Sequence, residues 1–111
     1  ISMYEQEFEI LIKRAIQIAQ NNPKNVIVVS IPDYGVTPFG ASKNPSKIKL
    51  ELDQYNKINK DFANKYKTKY VDITPISRKA TKDLTLIAKD QLHPSGKMYQ
   101  LWVNKIIKVL P

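Results

Sequence analysis

The spacing of apolar residues changes character several times along this chain, and each change marks an element. From Met3 to Asn22 the apolar side chains Phe8, Leu11, Ile12, Ala15, Ile18 and Ala19 recur at helical spacing, which predicts an amphipathic helix. Glu5, Glu7 and Glu9 precede Lys13 and Arg14, the charge order that suits a helix dipole. Asn21-Asn22-Pro23 ends it. Val26-Ile27-Val28-Val29-Ser30-Ile31 is then a nearly unbroken β-branched run, the pattern of a strand covered on both faces in a parallel sheet. Pro32 closes the strand.

Between Pro32 and Pro45 the residues Asp33, Tyr34, Gly35, Pro38, Phe39 and Gly40 read as loop. Ser46 is a candidate cap for a second helix running to about Tyr66, with Leu52, Tyr55, Ile58, Phe62 and Tyr66 as its apolar stripe. Lys69 to Ile73 predicts a second short strand. Thr74-Pro75-Ile76 begins a turn or short helical segment, and Leu84, Leu86 and Ile87 mark a packed loop. After Pro94 a last helix carries Met98, Leu101, Trp102, Ile106 and Val109 on one face.

Helix, strand, helix, strand is the order of a parallel α/β layered fold. With only two strands the first has an unpaired apolar edge, which is an aggregation hazard unless something covers it. The expectation is therefore that another chain covers that edge or, preferably, that the polypeptide is the later part of a larger domain.

Composition narrows the functional classes. The 111 residues bound a single domain or part of one. No apolar run approaches the ~20 residues a membrane span needs. Cysteine is absent, which removes disulfide scaffolds and thiolate zinc sites. The net charge is +8, but 16 of the 18 basic residues are lysines spread along the chain, with only Arg14 and Arg78 beside them. Nucleic-acid recognition favours clustered basic residues with arginine among them, so solvated lysine faces explain the charge better.

The residues that carry chemistry lie in Asp90-Gln91-Leu92-His93-Pro94-Ser95-Gly96, which holds the only histidine. A carboxylate that accepts from one ring nitrogen fixes the tautomer and stabilises the imidazolium, leaving the other nitrogen to take a proton from a hydroxyl. Pro94 disfavours helical backbone at His93, which helps hold the ring off the following helix. By spacing alone the same pattern also arises as a surface turn. One histidine with Asp90 makes only two ligands, so no metal site is expected, and no cofactor. Tyr34 and Phe39 are the aromatics placed to wall a pocket, because ligands bind beyond the carboxyl ends of strands in open parallel sheets. Packing for stability accounts for them equally well. Tyr99 and Trp102, at helical spacing in an apolar stripe, read as core.

Asp90-x-x-His93-Pro94-Ser95, followed by Tyr99, Trp102 and Ile106, resembles the C-terminal block of the SGNH hydrolases, also called the GDSL esterases and lipases. The loop Ile31 to Phe39 and the segment Tyr70-Val71-Asp72-Ile73-Thr74 are similar to the stretches after the family's penultimate and last strands. The resemblance implies a partial flavodoxin-like three-layer α/β/α fold, with two parallel strands and three or more helices here and the N-terminal half of the sheet absent. It implies that residues 1–111 are the C-terminal part of a single SGNH-type domain. It implies hydrolysis of a carboxylic ester, with His93 as general base and Asp90 as its orienting acid. The family's Gly-Asp-Ser nucleophile motif and its Gly-x-Asn-Asp motif do not occur here, nor does a Gly-x-Ser-x-Gly elbow. The expected partners are thus a lipid, small-molecule or acylated-carbohydrate ester and the missing half of the domain or another chain. Alone, the chain is expected to be nearly inactive. The alternative is a non-catalytic module that pairs through its exposed strand edge.

Overall fold

A computed structural model describes all 111 residues. Helix α1 (Ser2–Ile18) leads through a short turn to strand β1 (Ile27–Val29). A 3-10 turn (Tyr34–Val36), helix α2 (Pro38–Ala41) and helix α3 (Pro45–Lys65) follow. Strand β2 (Lys69–Val71) and helix α4 (Thr74–Arg78) precede two 3-10 turns, Lys79–Thr81 and Leu84–Leu86, and the closing helix α5 (Gly96–Ile107). The strands pair in parallel with Ile27 opposite Lys69, Val28 opposite Tyr70 and Val29 opposite Val71. Helix α3 is the crossover between them, and the arrangement is α/β, in keeping with part of an α/β/α layered fold.

Both strands are shorter than their apolar runs suggest. Beyond the bond from the Ser30 amide to the Val71 carbonyl, 2.9 Å, side chains take over the ladder. Ser30 Oγ accepts from the amides of Ile73 and Thr74, at 2.8 and 3.1 Å. The Asn56 carboxamide meets both backbone groups of Ile31, accepting from the amide at 2.8 Å and donating to the carbonyl at 3.3 Å. These polar contacts carry the pairing of the two segments past the strand ends as far as Thr74, whose hydroxyl donates to the Ile31 carbonyl at 2.8 Å.

Strand β1 is not covered on both faces. Val29 is 38 % exposed and only β2 pairs with β1. An apolar groove, walled by Phe8, Leu11, Ile12 and Ala15 of α1, runs along Val26 to Val29. Leu11 and Ile18, members of the predicted α1 stripe, are 63 and 71 % exposed, and Leu11 faces the groove beside β1. Helix α1 stops at Ile18, short of Asn22, and Gln20 and Asn21 turn out of it with positive φ.

The cap of α3 is Asn44, not Ser46. Its side chain accepts from the Lys47 amide, and Pro45 takes the first helical position, where a missing N–H costs nothing. Helices α1 and α3 meet through aromatic side chains: the Tyr4 and Tyr55 rings are edge to face at 4.5 Å, and the Tyr4 hydroxyl donates to Asn59 at 2.6 Å. A second core forms where α5 meets the segments after β2. Ala80, Leu86 and Met98 are buried there, flanked by Val36, Ile76, Leu101 and Trp102. Leu84, grouped with Leu86 in the sequence, is 67 % exposed.

Candidate active site

The segment between the Leu84–Leu86 turn and α5 folds back on itself. Ile87 and Pro94 form an antiparallel bridge, and the Ala88 amide donates to the His93 carbonyl at 2.8 Å. Asp90 organises the tip. Its Oδ1 accepts from the amides of both Leu92 and His93 at 2.9 Å, with Gln91 between in the left-handed region at φ 65°. The aspartate at this position thus supplies the turn its acceptors. Ser95 closes the segment: its amide donates to the Leu86 carbonyl at 2.9 Å, its hydroxyl donates to the Thr85 carbonyl at 2.7 Å, and it caps α5 by accepting from the Met98 amide.

With Oδ1 spent on the turn, Asp90 Oδ2 is hydrogen-bonded to His93 Nδ1. The spacing read from the sequence is therefore a real pairing, and one carboxylate serves both backbone and ring. The His93 amide, then the Leu92 amide and then the imidazole favour the charged carboxylate and hold Asp90 well below the ordinary range, at about 2. His93 Nε2 has no hydrogen-bond partner within the chain. Both side chains face solvent, His93 68 % and Asp90 49 % exposed.

His93 stands at the edge of a cleft of about 310 Å³. Ile31, Pro32 and Tyr34, from the loop after β1, wall it on one side. Ile87 and Leu92 of the Asp90 segment and Met98 and Trp102 of α5 wall the rest. Tyr34 is placed as the sequence suggests. Phe39 is 46 % exposed and outside the cleft wall, with the Lys43 ammonium 5.3 Å from its ring centre. Its backbone still matters, since the Phe39 amide donates to the Gln91 carbonyl at 3.1 Å and ties α2 to the Asp90 segment. Trp102 belongs to both cleft and core, with its Nε1 buried and without an acceptor.

The polar side chains in the wall are occupied. Thr37 donates to the Tyr34 carbonyl at 2.7 Å and accepts from the Gly40 amide at 2.9 Å. Ser77 donates to the Thr74 carbonyl at 2.6 Å and accepts from the Asp33 amide at 2.9 Å. Asp33, 4 % exposed, accepts from the Gly35 amide at 2.8 Å and from Arg78 Nε at 3.0 Å. Arg78 reaches on to Asp53 on α3 at 2.8 Å, an ion pair that holds the Asp53 carboxyl below its ordinary range. This triad escaped the sequence reading. The available signal was the scarcity of arginine in a lysine-rich chain, since the planar guanidinium suits one donor bridging two carboxylates.

The GDSL-like lipase/acylhydrolase family matches the chain over residues 3–101. The chain belongs to that family. No curated protein and no solved structure matches it. Membership makes this a hydrolase of the esterase/acylhydrolase type, the class anticipated from the Asp90-to-Ser95 block. The family assignment rests on nearly the whole chain and not on that block alone.

Proposed function

We propose that this chain supplies the general base and orienting acid of a serine-dependent carboxylic ester hydrolase, with the nucleophilic serine on polypeptide outside these residues. The observation that carries the reading is the Asp90–His93 pairing beside the cleft, with Nε2 left unbonded. In this reading Nε2 takes the proton of a serine hydroxyl as its oxygen attacks the ester carbonyl. The imidazolium, held by Asp90, then gives that proton to the departing alkoxide, and water repeats the cycle on the acyl-enzyme.

Two further observations support an external nucleophile. The hydroxyls in the cleft wall, on Thr37 and Ser77, already donate to backbone carbonyls of their own segments. The imidazole and carboxylate are also open to water, whereas such pairs act most strongly where water is excluded. The uncovered edge of β1 and its apolar groove form the surface on which the rest of the domain, or another chain, adds its strands. The same edge also suits a module that only binds a partner; the free imidazole beside an apolar cleft favours the hydrolase.

The test is hydrolysis of p-nitrophenyl acetate by the domain that carries the serine. His93→Ala should lower kcat by about 10³-fold or more, and Asp90→Asn by about 10²- to 10⁴-fold through the wrong tautomer. The 111-residue chain alone should be nearly inactive. Equal turnover by the chain alone, or an unaltered rate in His93→Ala, overturns the proposal.

A further inference from the structure

Resting on the hydrolase reading of His93, we infer that the adjoining cleft holds an unbranched hydrocarbon chain, so that the substrate is a medium-chain ester and not an acetylated sugar. Recognition of a sugar needs polar groups free to exchange hydrogen bonds with hydroxyls. The hydroxyls of Thr37 and Ser77 and the carboxylate of Asp33 have their partners inside the protein. The one unpaired buried donor, Trp102 Nε1, is shut away from the surface. What the cleft exposes between the His93 and Tyr34 edges is therefore hydrocarbon from side chains such as Ile31, Ile87 and Leu92.

Size sets the length. A dry apolar cavity of about 150 Å³ takes up a six-carbon benzene ring. A cleft of 310 Å³ that is open on one side then has room for about six to ten carbons. An acetyl group would leave most of that wall in water. A longer chain would run past the wall and gain nothing from its last methylenes.

Trp102 is the only tryptophan and lines the cleft, so its fluorescence reports occupancy directly, with no need for turnover. Butanol, hexanol, octanol and decanol, neutral probes for a chain that carries a large positive charge, should bind with affinity rising about fourfold per added methylene. The rise should level off between octanol and decanol. N-acetylglucosamine and glycerol should leave the emission unchanged. Affinity that ignores chain length, or a response to the sugar, overturns the inference.

Leu92→Asp should weaken octanol binding at least tenfold with an unchanged circular dichroism spectrum. Tyr34→Asp, at an exposed position on the opposite wall, should do the same if the first variant fails to fold. Unaltered affinity in a folded variant places the alcohol elsewhere and defeats the inference. His93→Ala should still bind octanol. An unaltered hydrolysis rate in that variant would sink the catalytic reading alone, whereas a lost chain-length dependence would sink the cleft assignment alone.

With the serine-bearing domain, methyl octanoate and octyl acetate distinguish whether the hydrocarbon belongs to the acyl or the alcohol side. One of the two should be hydrolysed well above ethyl acetate. Equal rates for all three refute a hydrocarbon site.

Discussion

At the scale of the residue, Asp90 does two jobs with its two oxygens, and its titration makes the arrangement testable. Its folded-state carboxyl lies well below the ordinary range, held first by the His93 and Leu92 amides and then by the imidazole. A depressed carboxyl favours the native loop at pH values above the ordinary carboxylate range, and that contribution fades as pH falls through the native value. The step in the Leu92 and His93 amide resonances that reports the carboxyl should accordingly be centred near its own titration at about 2. A shift of both amides centred near pH 4 would show an untethered aspartate.

At the scale of the element, the loop that carries Tyr34 is held by a close backbone approach as well as by its side chains. A Cβ built on Gly40 would lie 2.0 Å from the Tyr34 carbonyl oxygen and 2.7 Å from Gly35 Cα. Helix α2 can press against the Tyr34–Val36 turn only because Gly40 has no side chain. Gly40→Ala has no flexible neighbour to displace, since the obstruction is backbone. It should destabilise the fold at the upper end of the about 1–3 kcal/mol that overpacking costs, and it should shift the Tyr34 wall. Thermal melts together with octanol binding would check this. A variant as stable as the parent, with binding intact, would contradict the close approach.

At the scale of the whole molecule, Arg78 joins parts distant in sequence: α4 through its own position, the loop after β1 through Asp33, and α3 through Asp53. Asp33 is almost wholly buried, so removing its cation leaves a charge without compensation. Arg78→Met should cost about 3 kcal/mol, the low end for a broken buried pair because the guanidinium is partly exposed. Urea unfolding measures the loss. The double variant Arg78→Met with Asp33→Asn should recover part of it, and failure to recover would mean that the arginine acts through Asp53 alone.

Much of this arrangement was legible in the residues themselves. The α/β order and the parallel strands follow from apolar spacing and the Asp90–His93 pairing from one short block, because periodicity and turn chemistry are local properties, while the family was legible as a resemblance spread over nearly the whole chain. The ends of elements were less so. Asn44 competes with Ser46 for the same cap, and the strands stop early where Ser30 and Asn56 take backbone hydrogen bonds across long stretches of chain. Tertiary structure alone decided that Tyr34 lines the cleft while Phe39 does not, that Trp102 serves both cleft and core, and that Arg78 is the tie beneath the loop. Those outcomes depend on which distant surfaces meet once hydrocarbon is buried and charges are paired, and no local pattern encodes that meeting.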